Sequence, residues 1–236
     1  MTMFLDTSCR SNETEIMDDF SLKGELMRDT LDKLGIINKW LGGNQITLNG
    51  IAQLLKGKPK DKTYTIIDLG CGHGDMLRLV AKYGRLNRYN FRLIGVDANQ
   101  DAIAYANELS TEYPELTFEA IDIMSEEFVA LNFDIALSTL FLHHFKNDEI
   151  LSLIERLTTN AKLGVVVNDL QRSKIAYGLF KLLGITISNP MIVQDGLTSI
   201  LRSFKREELE QFSKTLNLKS HIRWKWAFRY QWLIYA

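Results

Sequence analysis

The stretch Tyr64-Thr-Ile-Ile-Asp-Leu-Gly-Cys-Gly-His-Gly-Asp75 decides the fold of this 236-residue chain. Thr65 to Leu69 is a short β-branched run of the kind buried in a parallel sheet, and Asp75-Met-Leu-Arg-Leu-Val-Ala-Lys82 has helical apolar spacing. Between them Gly70, Gly72 and Gly74 make a turn whose backbone angles resist a side chain and whose backbone a ligand can touch directly. Strand, glycine turn and helix also describe the dinucleotide fold, whose fingerprint is G-x-G-x-x-G. Counted from Gly70 the third glycine falls on Asp75, and counted from Gly72 it falls on Leu77, so neither frame fits. The pattern that fits is D-x-G-x-G-x-G, from Asp68 to Gly74.

Downstream the strand and helix signals alternate. Phe91-Arg-Leu-Ile-Gly-Val-Asp97 is a second strand ending in an acid, whose two oxygens can accept from the two hydroxyls of a ribose; Asn99 caps the helix that follows. Leu116 to Ile121 is a third strand that delivers Asp122-Ile-Met124, with a short helix expected around Ser125 to Ala130. Phe133 to Ser138 is a fourth, followed by Thr139-Leu-Phe-Leu-His-His-Phe145 and a helix from Asp148 to Thr159. His143 and His144 therefore stand at the C-terminal rim of the sheet, where open α/β folds place ligands; as neighbours they are expected to point apart, so that at most one faces a substrate, the alternative being one packed and one exposed with no catalytic role. Leu163 to Asp169 is a fifth strand whose polar end, Asn168 to Arg172, lies at the same rim. Residues 173–204 leave this rhythm and form an apolar helical insertion, a candidate cover for a substrate. The chain closes with a helix from Arg206 to Leu216, for which Ser203 is the expected cap, and two alternating strands, Leu218 to Lys225 and Phe228 to Tyr235. Trp224, Trp226 and Trp232 belong to this hairpin and are read as packing.

Ahead of the glycine loop, residues 1 to about 20 form a polar, acidic arm or short lid helix. Ser21 is positioned to cap a helix carrying Leu22, Leu26, Thr30, Leu31 and Leu34, which Gly35 should interrupt. A short turn to Leu41 and a helix through Ile46, Leu48, Ile51, Leu54 and Leu55 follow, and the charged run Lys56 to Lys62 reads as a solvated connection.

The Asp68 to Gly74 loop, the two strand-end acids and the closing antiparallel hairpin together resemble the class I S-adenosylmethionine-dependent methyltransferases. The resemblance covers about residues 61–236. It implies a Rossmann-like α/β fold with a seven-stranded, mostly parallel sheet in the order 3-2-1-4-5-7-6, the last strand antiparallel, behind an N-terminal helical cap over residues 1–60. It implies a cofactor shell of Asp68, Gly70, Cys71, Gly72, Gly74, Asp97, Ala98, Asp122, Ile123 and Ser138, with Asp122 accepting from the adenine amino group and Ile123 packing on the base. The D/N-P-P-Y/F sequence of base and glutamine amino-group methylases is absent after strand four, where Ser138-Thr-Leu-Phe141 stands instead, and no spare cysteine is placed to attack a pyrimidine. The acceptor is then expected to be a small molecule, a phenolic or polyketide-like hydroxyl first and a carbon second, with His143, His144 and Asp169 as the candidates for proton transfer. Glu15 to Asp19 and Asn168 to Arg172 also look like segments of small bacterial methyltransferases of polyketide or phenolic-lipid products. A cofactor-binding protein without catalysis, or an NAD-dependent oxidoreductase, are the alternatives.

Composition narrows the partners. A net charge of -1 gives no footprint for nucleic acid, and none is expected as a partner. Two distant cysteines, Cys9 and Cys71, indicate neither a disulfide framework nor a zinc site, so no metal is expected. The chain lacks a membrane-length apolar run and a signal-like N-terminus, so a cytoplasmic protein without a membrane partner is the expectation. Nothing in the sequence sets an oligomeric state.

Overall fold

The computed structural model describes residues 5–236 apart from 21, 126, 127, 129 and 130. The expected Ser21 cap, and most of the expected helix around Ser125 to Ala130, lie outside the described residues. Seven strands form one sheet in the order β3-β2-β1-β4-β5-β7-β6: β1 (Thr63–Leu69), β2 (Asn90–Asp97), β3 (Leu116–Ala120), β4 (Phe133–Thr139), β5 (Ala161–Leu170), β6 (Lys219–Lys225) and β7 (Arg229–Tyr235). β1 through β5 are parallel, and β7 inserts antiparallel between β5 and β6. This is the Rossmann-like methyltransferase topology implied by the sequence. Strand order reverses between β1 and β4, which places a ligand crevice beyond the carboxyl ends of those two strands.

The central strands are apolar along their length because helices cover both faces. On one face Ile67, Leu69, Val165, Val167 and Trp232 pack with Leu153, Ile154 and Leu157 of α5 (Asn147–Asn160) and Leu209 and Phe212 of α8 (Arg206–Thr215). On the other, Ile66, Leu93, Ile135, Val166 and Leu233 meet Ile51 and Leu54 of α2 (Gly43–Leu54) and Leu77 and Val80 of α3 (Asp75–Asn87). Gly50 lets α2 lie against β5, since a Cβ there would come within 2.4 Å of Val166 Cγ1. α4 (Gln100–Leu109) covers β2 and β3, and Asn99 caps it by accepting from the Asp101 and Ala102 amides.

Three local expectations are corrected. Gly35 does not interrupt the first helix: α1 runs unbroken from Gly24 to Trp40, and the glycine allows close approach to the glycine loop, a Cβ there standing 3.2 Å from His73 Cε1. Ser203 does not cap α8. It closes the preceding helix, its hydroxyl donating to the Ser199 carbonyl, while Glu208 accepts from the Lys205 amide at 2.7 Å at the start of α8. Of the hairpin tryptophans only Trp232 is packed; Trp224 on the edge strand and Trp226 in the turn are 47% and 65% exposed. Residues 173–204 hold two helices, α6 (Lys174–Gly184) and α7 (Pro190–Arg202), the latter capped by Asn189 with Pro190 in its first turn. Among the described residues no helix is long and apolar enough to cross a membrane.

Candidate active site

A cavity of about 1300 Å³ opens beyond the β1 and β4 strand ends. One end is built by the glycine loop. Gly70, Gly72 and Gly74 take left-handed φ values of 62°, 50° and 76°. Gly70 is also sterically fixed, because a Cβ there would lie 2.2 Å from the Phe141 ring. Gly70, Cys71 and Gly72 line the cavity with Asp68, Ala98, Asp122 and Ile123. Asp97 joins them from the end of β2, where its carboxylate accepts from the Gly72 amide at 3.0 Å and the Asn99 amide at 2.9 Å, tying the loop to the neighbouring strand. Four oxygen lone-pair sites leave it room for two further donors. Asp122 is exposed, its Oδ1 accepting from the Met124 amide at 2.8 Å in a tight turn. Gly74 begins α3 and does not line the cavity, and Ser138 does not either. Ser138 is fully buried on β4, and the alternation of the strand turns its neighbour Thr139 to the cavity instead.

Negative charge is crowded at this end. Burial, and then Asp75 and Asp97, push the Asp68 carboxyl well above its ordinary range. Burial likewise raises Asp97 against the pull of its two amide donors.

The other end is built by the histidines and the N-terminal arm. The tight turn Leu142–His144 after β4 defeats the expectation that neighbouring side chains diverge: the two imidazoles stack with centroids 4.3 Å apart. Each is held by a carboxylate. His143 Nδ1 lies 2.7 Å from Asp169 Oδ1, and His144 Nδ1 lies 2.5 Å from Asp18 Oδ1. Asp169 is buried at the end of β5 and does not line the cavity, so it stands behind His143. Glu15 comes from the arm to place Oε1 3.5 Å from His143 Nε2. Burial opposes a charge on His143, but Asp169 and Glu15 outweigh it and hold the imidazolium up to about 10. In turn Asp169 and Glu15, despite their own burial, are drawn below the carboxylate range by that cation.

From sequence the arm reads as a lid and residues 173–204 as a substrate cover, but none of their side chains is read as a site residue. Asp195, Ser199 and Arg202 lie at i, i+4 and i+7 on α7 and form one polar stripe. Asp195 accepts from the Ile16 and Met17 amides, Ser199 donates to Glu15 Oε2 at 2.7 Å, and Arg202 donates to Asp18 Oδ2 at 2.5 Å. Arg10 adds bonds to the carbonyls of His143 and Phe145. Such a stripe in an otherwise apolar helix was the available sequence signal. Glu15, His143 and His144 offer ligand atoms within 4.8 Å of one another, but Arg202 Nη1, 3.8 Å from Glu15 Oε1, already brings a cation to that place.

Comparison with known proteins agrees with this geometry. Residues 60–177 match a family described as Methyltransferase domain. Comparison with curated proteins found no match. Among solved structures, the plantazolicin methyltransferase BpumL in complex with SAH aligns with a TM-score of 0.66 at 20% identity, over 89% of this chain and 88% of that one. The magnesium protoporphyrin IX methyltransferase of Synechocystis PCC 6803, also with bound SAH, aligns with a TM-score of 0.56 at 16% identity, over 85% and 87% of the two chains. The CurJ carbon methyltransferase aligns with a TM-score of 0.61 at 12% identity over 81% of this chain and 54% of that one. With the fold, the glycine loop and the family match in agreement, the chain belongs to the methyltransferase-domain family and is a class I, S-adenosylmethionine-dependent methyltransferase.

Proposed function

We propose that this enzyme methylates a small molecule, at a hydroxyl oxygen first and at carbon second. The observation that carries the reading is the pair of carboxylate-held imidazoles in the same cavity as the glycine loop. A cavity of about 1300 Å³ exceeds the usual size of a single-ligand pocket, roughly 300–1,000 Å³, and has room for cofactor and acceptor together. The crowded carboxylates of Asp68, Asp75 and Asp97 suit a cofactor bearing ammonium and sulfonium charge, and Asp97 suits its ribose. Asp122 and Ile123 suit the adenine. When bound, S-adenosylmethionine supplies an electrophilic methyl group; the chain's task is to align the acceptor, exclude water and remove one proton. Residues 1–60 and the insertion at 173–204 provide the cover.

At the acceptor end, a neutral His144 whose Nδ1–H donates a hydrogen bond to Asp18 keeps a lone pair on Nε2 for the acceptor hydroxyl. The hydroxyl proton passes to Nε2 as the oxygen lone pair forms the new bond to carbon. His143 keeps its own proton at neutral pH, so it acts as a fixed cation that stabilises negative charge developing on the acceptor oxygen.

The test is methyl transfer to a series of phenols of graded acidity, followed as S-adenosylhomocysteine release at saturating cofactor. His144→Ala should slow turnover by about 10²–10⁴-fold on the least acidic phenols and by less on the most acidic. Turnover of His144→Ala equal to that of the parent on the least acidic phenols would remove the base assignment, and that of His143→Ala the role of the fixed cation. Product NMR distinguishes oxygen from carbon as the site of transfer.

A further inference from the structure

The helix α6 has an unusual outer surface. Ala176, Leu179, Phe180 and Leu183 line the cavity, yet Ile175, Leu182 and the following Ile185 face solvent at 66%, 64% and 80% exposure. An ordinary surface helix puts polar residues on its outer side. This one carries apolar residues on both sides, and from Leu170 to Gln194 the sequence contains no aspartate or glutamate. Its exposed charges are the two lysines Lys174 and Lys181, on the solvent side of the helix. The same cavity is bordered by Phe20 and Trp226, each 65% exposed, and Trp226 is adjacent to Lys225.

We propose that α6 and the Trp224-Lys-Trp226 end of β6 dock the enzyme on an anionic lipid surface, with the cavity mouth turned toward the bilayer. Short amphipathic helices with leucine, isoleucine and tryptophan on one side and lysines beside them settle into the headgroup boundary. The lysines add attraction to anionic headgroups, and tryptophan is at home at that depth. At 11 residues α6 is too short to span a bilayer, so the contact is peripheral. Resting on the small-molecule reading, the proposal identifies the acceptor class as one with an apolar portion that partitions into lipid and enters past Leu179 and Leu183.

The experiment is flotation of the full chain with vesicles of pure phosphatidylglycerol or pure phosphatidylcholine, without cofactor or acceptor, so that it stands or falls apart from methyl transfer. The protein should float with phosphatidylglycerol, less with phosphatidylcholine, and less again at high salt. Lys174→Gln with Lys181→Gln should weaken binding to phosphatidylglycerol by about thirtyfold, at about 1 kcal/mol per lysine. Ile175→Glu with Leu182→Glu should abolish flotation on both vesicles while S-adenosylhomocysteine binding, which confirms the fold, is kept. Failure to float on either vesicle would overturn the proposal, as would flotation of the glutamate variant equal to that of the parent. A dimer in solution that Leu182→Glu dissolves would overturn it too, by assigning this face to a second copy.

Discussion

Replacing Asp169 by Asn is the sharpest test of the buried charge arrangement. Asp169 and His143 are both about 2% exposed or less, and their ring nitrogen and carboxylate oxygen are 2.7 Å apart. At that distance an effective dielectric constant of about 20 gives a gross attraction of about 6 kcal/mol. Desolvation of both groups offsets much of it, and removing one member of such a pair destabilises a protein by about 3–5 kcal/mol. The pH dependence has a definite sign. The folded pKa of His143 is raised to about 10, against about 6.5 in the unfolded chain, so its contribution is complete below about pH 6.5 and disappears as pH rises through about 10. The parent should therefore lose stability steadily between those limits. Asp169→Asn, left with Glu15 alone, should be less stable near neutrality and flatter above it, so that the two curves converge toward about pH 10. Urea unfolding across this range measures the gap, and the imidazole proton resonance of His143 reports its titration directly. Parallel curves for parent and variant, or a His143 resonance titrating near its ordinary value in the parent, would refute the reasoning.

Two further substitutions probe the other end of the cavity. Asp97→Ala removes the acceptor of the Gly72 and Asn99 amides together with the proposed ribose contacts, and should weaken S-adenosylhomocysteine binding by about 2–5 kcal/mol in calorimetry; a change below about 1 kcal/mol would place the ribose elsewhere. Gly70→Ala puts a methyl group into the Phe141 ring at a left-handed residue, so binding should drop along with thermal stability, by about 1–2 kcal/mol from the backbone alone; a variant as stable as the parent would mean that the loop is not held as described.

The glycine-loop end of the cavity was legible because local chemistry sets it. A left-handed glycine announces itself, and an acid at a strand end lies where parallel topology dictates. The hairpin was equally legible from its alternation. What failed were inferences from single residues about their surroundings. Gly35 reads as a breaker until the closeness of His73 is known, and Ser138, which the resemblance puts in the cofactor shell, is buried while strand parity turns Thr139 to the cavity. His143 and His144 were expected to diverge, as they would on an extended strand, but a tight turn stacks them. Glu15 was hidden for a different reason: its partners, His143 and Ser199, are brought to it only by tertiary folding.

That distance along the chain has a consequence for biosynthesis. The glycine loop and the acids that end β2 and follow β3 lie between Asp68 and Ile123, within a run of neighbouring βα units, and are completed by Thr139 and Phe141 about twenty residues further on. The histidine end has to wait. Glu15 meets Ser199 across 184 positions and Arg10 meets Arg202 across 192, and β7, which separates β5 from β6, follows all six other strands of the sheet in chain order. At about 5–20 residues per second the arm therefore spends roughly 10–40 seconds on the ribosome before its partners exist. A nascent chain halted before α7 would carry the glycine-loop end of the cavity while lacking the contacts that hold the arm beside the histidines.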